Sequence, residues 1–187
     1  MAAEAPVSRL VLVGGGVRSG KSAFALARAR ALGERRAFVA TAQALDDEMR
    51  VRIGRHVRER GETFRTVEAP VDLAGALLAL HDVDVAVVDC LTLWLSNLLV
   101  RGDDERVALA AVDALVSTLV ALPFATVVVT NEVGMGVVPE SALGRLFRDV
   151  TGHAHQRVAS RAAEIYFAAM GCIVRLRPGP VALEESR

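Results

Sequence analysis

The sequence predicts an α/β domain, a mainly parallel sheet with helices on both faces and a hairpin at the C-terminal end. Three observations carry this expectation. Short Val- and Leu-rich runs alternate with longer helical patterns along the chain. Two of those runs, residues 85–88 and 125–130, have almost no polar face, as parallel strands covered on both sides require. At 187 residues and 52% apolar, the chain suits one domain with a substantial core.

Taken in order, residues 10–13 read as a buried strand, followed by a Gly-rich turn and a helix from about 21 to 32 that Gly33 stops. A strand at 37–40 leads to a helix that starts at Asp46 or Asp47, runs to about Arg60 and is closed by Gly61. Residues 64–67 form a short strand near an edge. Helical patterns then fill 73–80, 91–100, 107–122 and 141–163, between the strands at 85–88 and 125–130. Strands at 165–169 and 172–176, split around Gly171, make the terminal hairpin. The whole of 1–187 reads as a single nucleotide-binding domain, with 1–8 and 177–187 as loose tails.

Composition narrows the classes. Formal net charge is zero, so no overall field draws the chain to nucleic acid or anionic lipid. No apolar stretch is long enough to span a bilayer, and residues 1–8 lack the pattern of a secretory signal, so the expectation is a cytoplasmic protein. Two cysteines, Cys90 and Cys172, suggest neither a disulfide framework nor a zinc site. Of 22 basic residues, Lys21 is the only lysine. An Arg-for-Lys bias would erase any lysine that arginine could replace. Lys21 therefore sits where a compact ammonium is needed and a planar fork fits poorly.

That lysine lies in Gly15-Gly16-Val17-Arg18-Ser19-Gly20-Lys21-Ser22, directly after a buried strand and opening a helix. This is the pattern of a P-loop. Its glycines let backbone N–H groups turn inward around phosphate oxygens, and the helix N-terminus adds its positive end. Lys21 is expected on the β- and γ-phosphates and the Ser22 hydroxyl on Mg²⁺. Asp89, closing the strand 85–88, fits the second metal-associated position; alternatively it only caps the next helix. Thr130, Asn131 and Glu132 lie just past another strand and are expected to face the same crevice. A regulatory GTPase is excluded, because its Asn-Lys-x-Asp motif needs a second lysine. The Leu-Ser-Gly-Gly-Gln signature of transport ATPases is absent as well.

The basic residues cluster at Arg50, Arg52, Arg55, Arg58 and Arg60, on one helix. Leu45, Met49, Ile53 and His56 share a face of that helix. His56 is either a histidine at the core margin or a nucleophile held among phosphate-binding arginines. His153 and His155, two positions apart on a helix, point to different faces and read as surface histidines rather than metal ligands.

The loop, the run Ala40-Thr41-Ala42-Gln43-Ala44-Leu45-Asp46-Asp47-Glu48-Met49, Arg52-Ile53 before His56, the stretch from Val129 to Glu140 and Phe147-Arg148-Asp149 with Gln156-Arg157 occur in a fixed order. Together they resemble the adenosylcobinamide kinase/adenosylcobinamide-phosphate guanylyltransferase family of cobalamin biosynthesis, over about residues 10–176. The resemblance implies phosphorylation of adenosylcobinamide by ATP or GTP. Transfer of GMP from GTP to the resulting phosphate would then follow, through a guanylylated histidine matching His56. It places nucleotide contacts on Gly15, Gly16, Val17, Arg18, Ser19, Gly20, Lys21, Ser22, Ala40, Thr41, Ala42, Val57, Arg58, Glu59, Arg60, Glu68 and Asp89. It also implies Mg²⁺ on Ser22 and Asp89, a homotrimer, and no nucleic-acid partner. Three departures stand out: Arg55 where the family often has a second histidine, Asp89 where glutamate is usual, and the additional Gly14 before the loop. Two rivals remain open from the residues alone: another small-molecule P-loop kinase with a structural His56, or a non-enzymatic nucleotide-binding regulatory module.

Overall fold

The computed structural model describes residues 9–44 and 47–184. Eight strands form one sheet: β1 (Leu10–Gly15), β2 (Arg36–Ala40), β3 (Phe64–Glu68), β4 (Val85–Asp89), β5 (Ala125–Val129), β6 (Glu164–Ala169), β7 (Cys172–Arg177) and β8 (Ala182–Glu184). The helices are α1 (Lys21–Leu32), α2 (Asp47–Arg60), α3 (Leu73–Leu78), α4 (Leu91–Val100), α5 (Glu105–Ala121) and α6 (Ala142–Arg161). Spatial order across the sheet is β3-β2-β4-β5-β1-β6-β7-β8. The first six of these strands pair in parallel, and β6, β7 and β8 pair antiparallel.

The strand runs lack a polar face because both sides of the sheet are covered. Leu10, Leu12, Val39, Ala86, Val88 and Val128 pack with α3, α4, α5 and α6 on one side. Their neighbours Val11, Val13, Phe38, Val85, Val87, Val127 and Val129 pack with Ala25, Leu26 and Ala29 of α1 on the other. Alternate residues of one strand thus enter two cores, and nothing along β4 or β5 needs to be polar. Among the described residues, side chains cap three of the helices: Asp72 accepts from the Gly75 N–H, Asp104 from Val107 and Ser141 from Gly144. The base of α1 is tied to β6, where Arg28 pairs with Glu164, which also accepts from the Tyr166 hydroxyl. Burial pushes the Glu164 carboxyl up, but the bonds from Arg28 and Tyr166 outweigh it and hold the group below its ordinary value.

The predicted elements occur in the expected order, with β3 at the sheet edge. Gly33 ends α1 as expected, with an extended backbone (φ 179°). Glycine is needed there because a Cβ would stand 2.3 Å from the Asp84 Cβ. In that space Asp84 accepts the N–H groups of Glu34 and Arg35 and the Arg35 guanidinium. The C-terminal segment, expected as a loose tail from residue 177, carries β8, whose Leu183 lies opposite Val174 of β7. Three residues show too little alternation to register as a strand; the open edge of β7 supplies the pairing. The β6–β7 turn has positive φ at both central residues, Met170 (52°) and Gly171 (81°), as a two-residue hairpin requires.

Candidate nucleotide and phosphate-transfer site

Strand register brings the predicted chemistry to one end of the sheet. Ala40 lies opposite both Glu68 and Asp89, Asp89 opposite Val129, and Val129 opposite Val13. The C-terminal ends of five strands therefore form one rim, and the loop Gly15–Ser22 rises from its β1 member. Because β5 lies between β1 and β4, whatever follows Val129 emerges between the loop and Asp89.

The loop is tightly built. Lys21 opens α1, is only 7% exposed, and its Nζ donates to the Gly16 carbonyl at 3.0 Å. A buried ammonium held against the loop it must serve is pre-positioned for phosphate. Gly15 has φ 149°, and a Cβ there would meet the Ala168 carbonyl oxygen at 2.3 Å. Gly15→Ala is expected to cost about 1–3 kcal/mol of stability and to weaken nucleotide binding by at least about tenfold. Urea unfolding and titration calorimetry measure the two effects, and an unchanged affinity would show that the loop does not bind nucleotide in this form. The Ser19 Oγ is buried with no hydrogen-bond partner among the described residues, and Ser19 is 5% exposed. A native orphan of this kind calls for a bound group.

Asp89 stands half-buried at the end of β4, where it was expected. Next to it, burial pushes the Cys90 thiol up to about 11, with the Asp89 carboxylate adding to the effect. Cys90 stays a thiol and is no nucleophile. Ser22 and Asp89 offer a hydroxyl and a carboxylate, the oxygen donors Mg²⁺ takes when phosphates supply its other ligands. By the chemistry of that donor set, these residues fit such an ion. The ion would neutralise charge building on the phosphates.

Thr41, expected at the nucleotide, is fully buried. Its Oγ1 donates to the Cys90 carbonyl and accepts the Cys90 N–H, both at 2.8 Å. Its carbonyl accepts from Asn97 Nδ2, which also reaches the Pro70 carbonyl. Thr41 thus fixes the strand-end segment to the end of β4 with its side chain and to α4 with its carbonyl. Ala40 and Ala42 are half-buried, and Glu68 is exposed on the edge strand. Val57 and Arg58 are exposed near the end of α2, while the side chains of His56, Glu59 and Arg60 lie outside the described residues. The structure so unites Gly15–Ser22, Ala40–Ala42, Glu68 and Asp89 on one rim.

Thr130 and Glu132 stand past β5 beside the loop, as expected, while Asn131 does not share their direction. The Thr130 N–H donates to the Val13 carbonyl and the Glu132 N–H to Gly15, both at 3.0 Å, so the chain past β5 continues beside β1 up to the loop. Asn131 turns the other way, its Nδ2 donating to Thr92 Oγ1 at 3.0 Å, and its Oδ1 is buried without a partner among the described residues. His155, expected at the surface, instead lies against this segment. Its Nε2 is 2.7 Å from Thr130 Oγ1 and its Nδ1 is 3.6 Å from Glu132 Oε2. His153 is exposed, so the two-residue spacing did separate the faces. One helical turn beyond Thr151 on the same side of α6, Arg148 has a buried Nη1 with no partner among the described residues.

Burial lowers the His155 pKa, and the Glu132 carboxylate opposes this only in part. The folded state therefore holds the ring neutral while the unfolded chain, titrating near the ordinary value of about 6.5, takes up the proton first. Stability is expected to fall as pH drops below that value and to stop falling once the folded ring also protonates. His155→Asn should flatten this part of the urea-midpoint-against-pH curve; an unaltered curve would show that another group sets the slope.

Comparison with known proteins places the chain. Residues 11–176 match the family described as cobinamide kinase / cobinamide phosphate guanyltransferase. The bifunctional adenosylcobalamin biosynthesis protein CobP of Pseudomonas aeruginosa is 40% identical over 171 residues, spanning 91% of this chain and 98% of that protein. The bifunctional adenosylcobalamin biosynthesis protein CobU of Escherichia coli is 38% identical over 183 residues, spanning 90% and 99%. Among solved structures, the flagellar accessory protein FlaH of Methanocaldococcus jannaschii superposes with a TM-score of 0.54 at 13% identity, over 98% of this chain and 92% of that one. The RadB recombinase superposes with a TM-score of 0.54 at 18% identity, over 93% and 85%, so both show the fold alone. Loop, rim and sequence agree: the chain belongs to the cobinamide kinase / cobinamide phosphate guanyltransferase family.

Proposed function

We propose that this chain performs two consecutive steps of adenosylcobalamin biosynthesis. ATP or GTP first phosphorylates the aminopropanol hydroxyl of adenosylcobinamide. GTP then transfers GMP to that phosphate, releasing pyrophosphate and giving adenosylcobinamide-GDP. The observation that carries the reading is the convergence of the buried Lys21, Asp89 and the Thr130–Glu132 segment on one rim, in a chain of this family.

In this reading the loop N–H groups and Lys21 hold the triphosphate, and Ser22 and Asp89 hold Mg²⁺. His56 takes the guanylyl group. Its nitrogen attacks the α-phosphorus of GTP and pyrophosphate leaves; the acceptor phosphate then displaces the histidine, splitting one exchange into two in-line steps. The arginines of α2 steady the charge on the transferring group. The segment after Glu132 leaves Met135 (80%), Val137 (96%) and Val138 (58%) exposed beside the rim, an apolar surface suited to a large, flat macrocycle. A homotrimer and a cytoplasmic location belong to the same reading. Among the described residues, no helix is long and apolar enough to cross a membrane.

The test is incubation with α-labelled GTP and Mg²⁺, followed by denaturation. Label that stays on the protein, labile in acid and stable in alkali, is the expected phosphoramidate. Cobinamide phosphorylation without label would favour a kinase alone, and neither activity would favour a binding module.

A further inference from the structure

Phosphorylating an alcohol requires a group that orients the hydroxyl and removes its proton. Lys21 and the arginines are cations, Ser22 and Asp89 serve the metal, His56 serves the second reaction, and Glu68 stands on the edge strand β3, with β2, β4 and β5 between it and β1. We infer that Glu132 is this group in the kinase step, and that His155 is the positioning residue that aims it. The inference rests on the kinase half of the proposed function.

Glu132 is placed by its backbone. Its N–H, three residues past the end of β5, donates to the carbonyl of Gly15, the first residue of the phosphate loop, and β5 is the strand lying between β1 and β4. One carboxylate oxygen, Oε1, accepts the Gly134 N–H at 2.6 Å, which fixes the side-chain torsions. The other, Oε2, faces His155 Nδ1 at 3.6 Å. Thr130 Oγ1 lies 2.7 Å from Nε2, and in the tautomer that accepts from this hydroxyl the ring proton sits on Nδ1, on the side of Glu132. The Glu132 side chain is still 24% exposed, enough to meet an acceptor arriving from solvent.

The step balances simply. The acceptor oxygen forms a bond to the γ-phosphorus, and the bond from that phosphorus to the β–γ bridging oxygen breaks. Its electron pair leaves on the nucleoside diphosphate. The hydroxyl proton passes to Glu132 Oε2 and then to water. The second reaction differs in kind, because its nucleophile is a phosphate oxygen with no proton to give up near neutral pH.

Comparing the two steps is therefore the experiment. Glu132→Gln is expected to lower the kinase kcat by about 10²–10³-fold with little change in nucleotide KM. Guanylyl transfer to supplied adenosylcobinamide phosphate should stay within about threefold of wild type. Glu132→Asp should recover part of the loss. His155→Ala should lower the kinase kcat by about tenfold, again without raising nucleotide KM. A Glu132→Gln enzyme with an unchanged kinase kcat overturns the inference, as does an equal fall in both steps. Wild-type protein unable to phosphorylate cobinamide would instead overturn the kinase reading itself.

Discussion

Lys21→Arg is expected to be as damaging as Lys21→Ala, with both phosphoryl and guanylyl transfer falling by about 10³-fold. The substitution preserves charge, so a loss would have to come from shape. Lys21 is 7% exposed and its ammonium already lies 3.0 Å from the Gly16 carbonyl inside the loop. A guanidinium is planar, wider and reaches further, and no such fork can occupy that position without opening the loop. Composition makes the same point: a chain that uses arginine everywhere else keeps one lysine, here. Steady-state rates for each step, with a melting curve to show that the variant folds, decide the matter. Near-wild-type rates in Lys21→Arg would mean that the ammonium contributes charge alone.

His56→Ala is expected to separate the two activities. Guanylyl transfer should drop by about 10⁴-fold or more, the scale of losing a covalent nucleophile. The kinase step, which passes directly between nucleotide and alcohol, should remain within about threefold. Intact mass after exposure to GTP reads this directly: one added guanylyl group on the wild type and none on the variant. Full transfer by His56→Ala would refute the covalent route. Helix α2 carries this residue and the arginines around it, with Val51 at 71% and Val57 at 44% exposure. The pair of variants also complements Glu132→Gln. One should remove the second reaction and spare the first; the other should do the reverse.

Much of the fold was readable because its determinants are local. Phosphate-loop chemistry is set by consecutive residues, since glycines, a lysine and a hydroxyl at fixed spacing need only a preceding strand and a following helix. Strands β4 and β5 announced their burial through a lack of polar alternation, and the hairpin through the Gly171 turn. Other features escaped for physical reasons. The periodicity of α6 established that His153 and His155 point apart, yet it could not say which of them faces inward. That depends on how the helix lies across the sheet. Strand β8 has three residues and no signal of its own, and exists because β7 offers an open edge.

By itself, then, the sequence determined the phosphate loop, the strand and helix periods and the family, because each depends on neighbouring residues or on a pattern repeated along the chain. Only the tertiary structure decided that β5 stands between β1 and β4, that Thr41 locks onto Cys90, and that His155 meets Thr130 and Glu132 beside Gly15. These are contacts between residues far apart in the chain. Strand order and helix rotation create them, and both follow from the packing of two cores against a shared sheet rather than from any local run of residues.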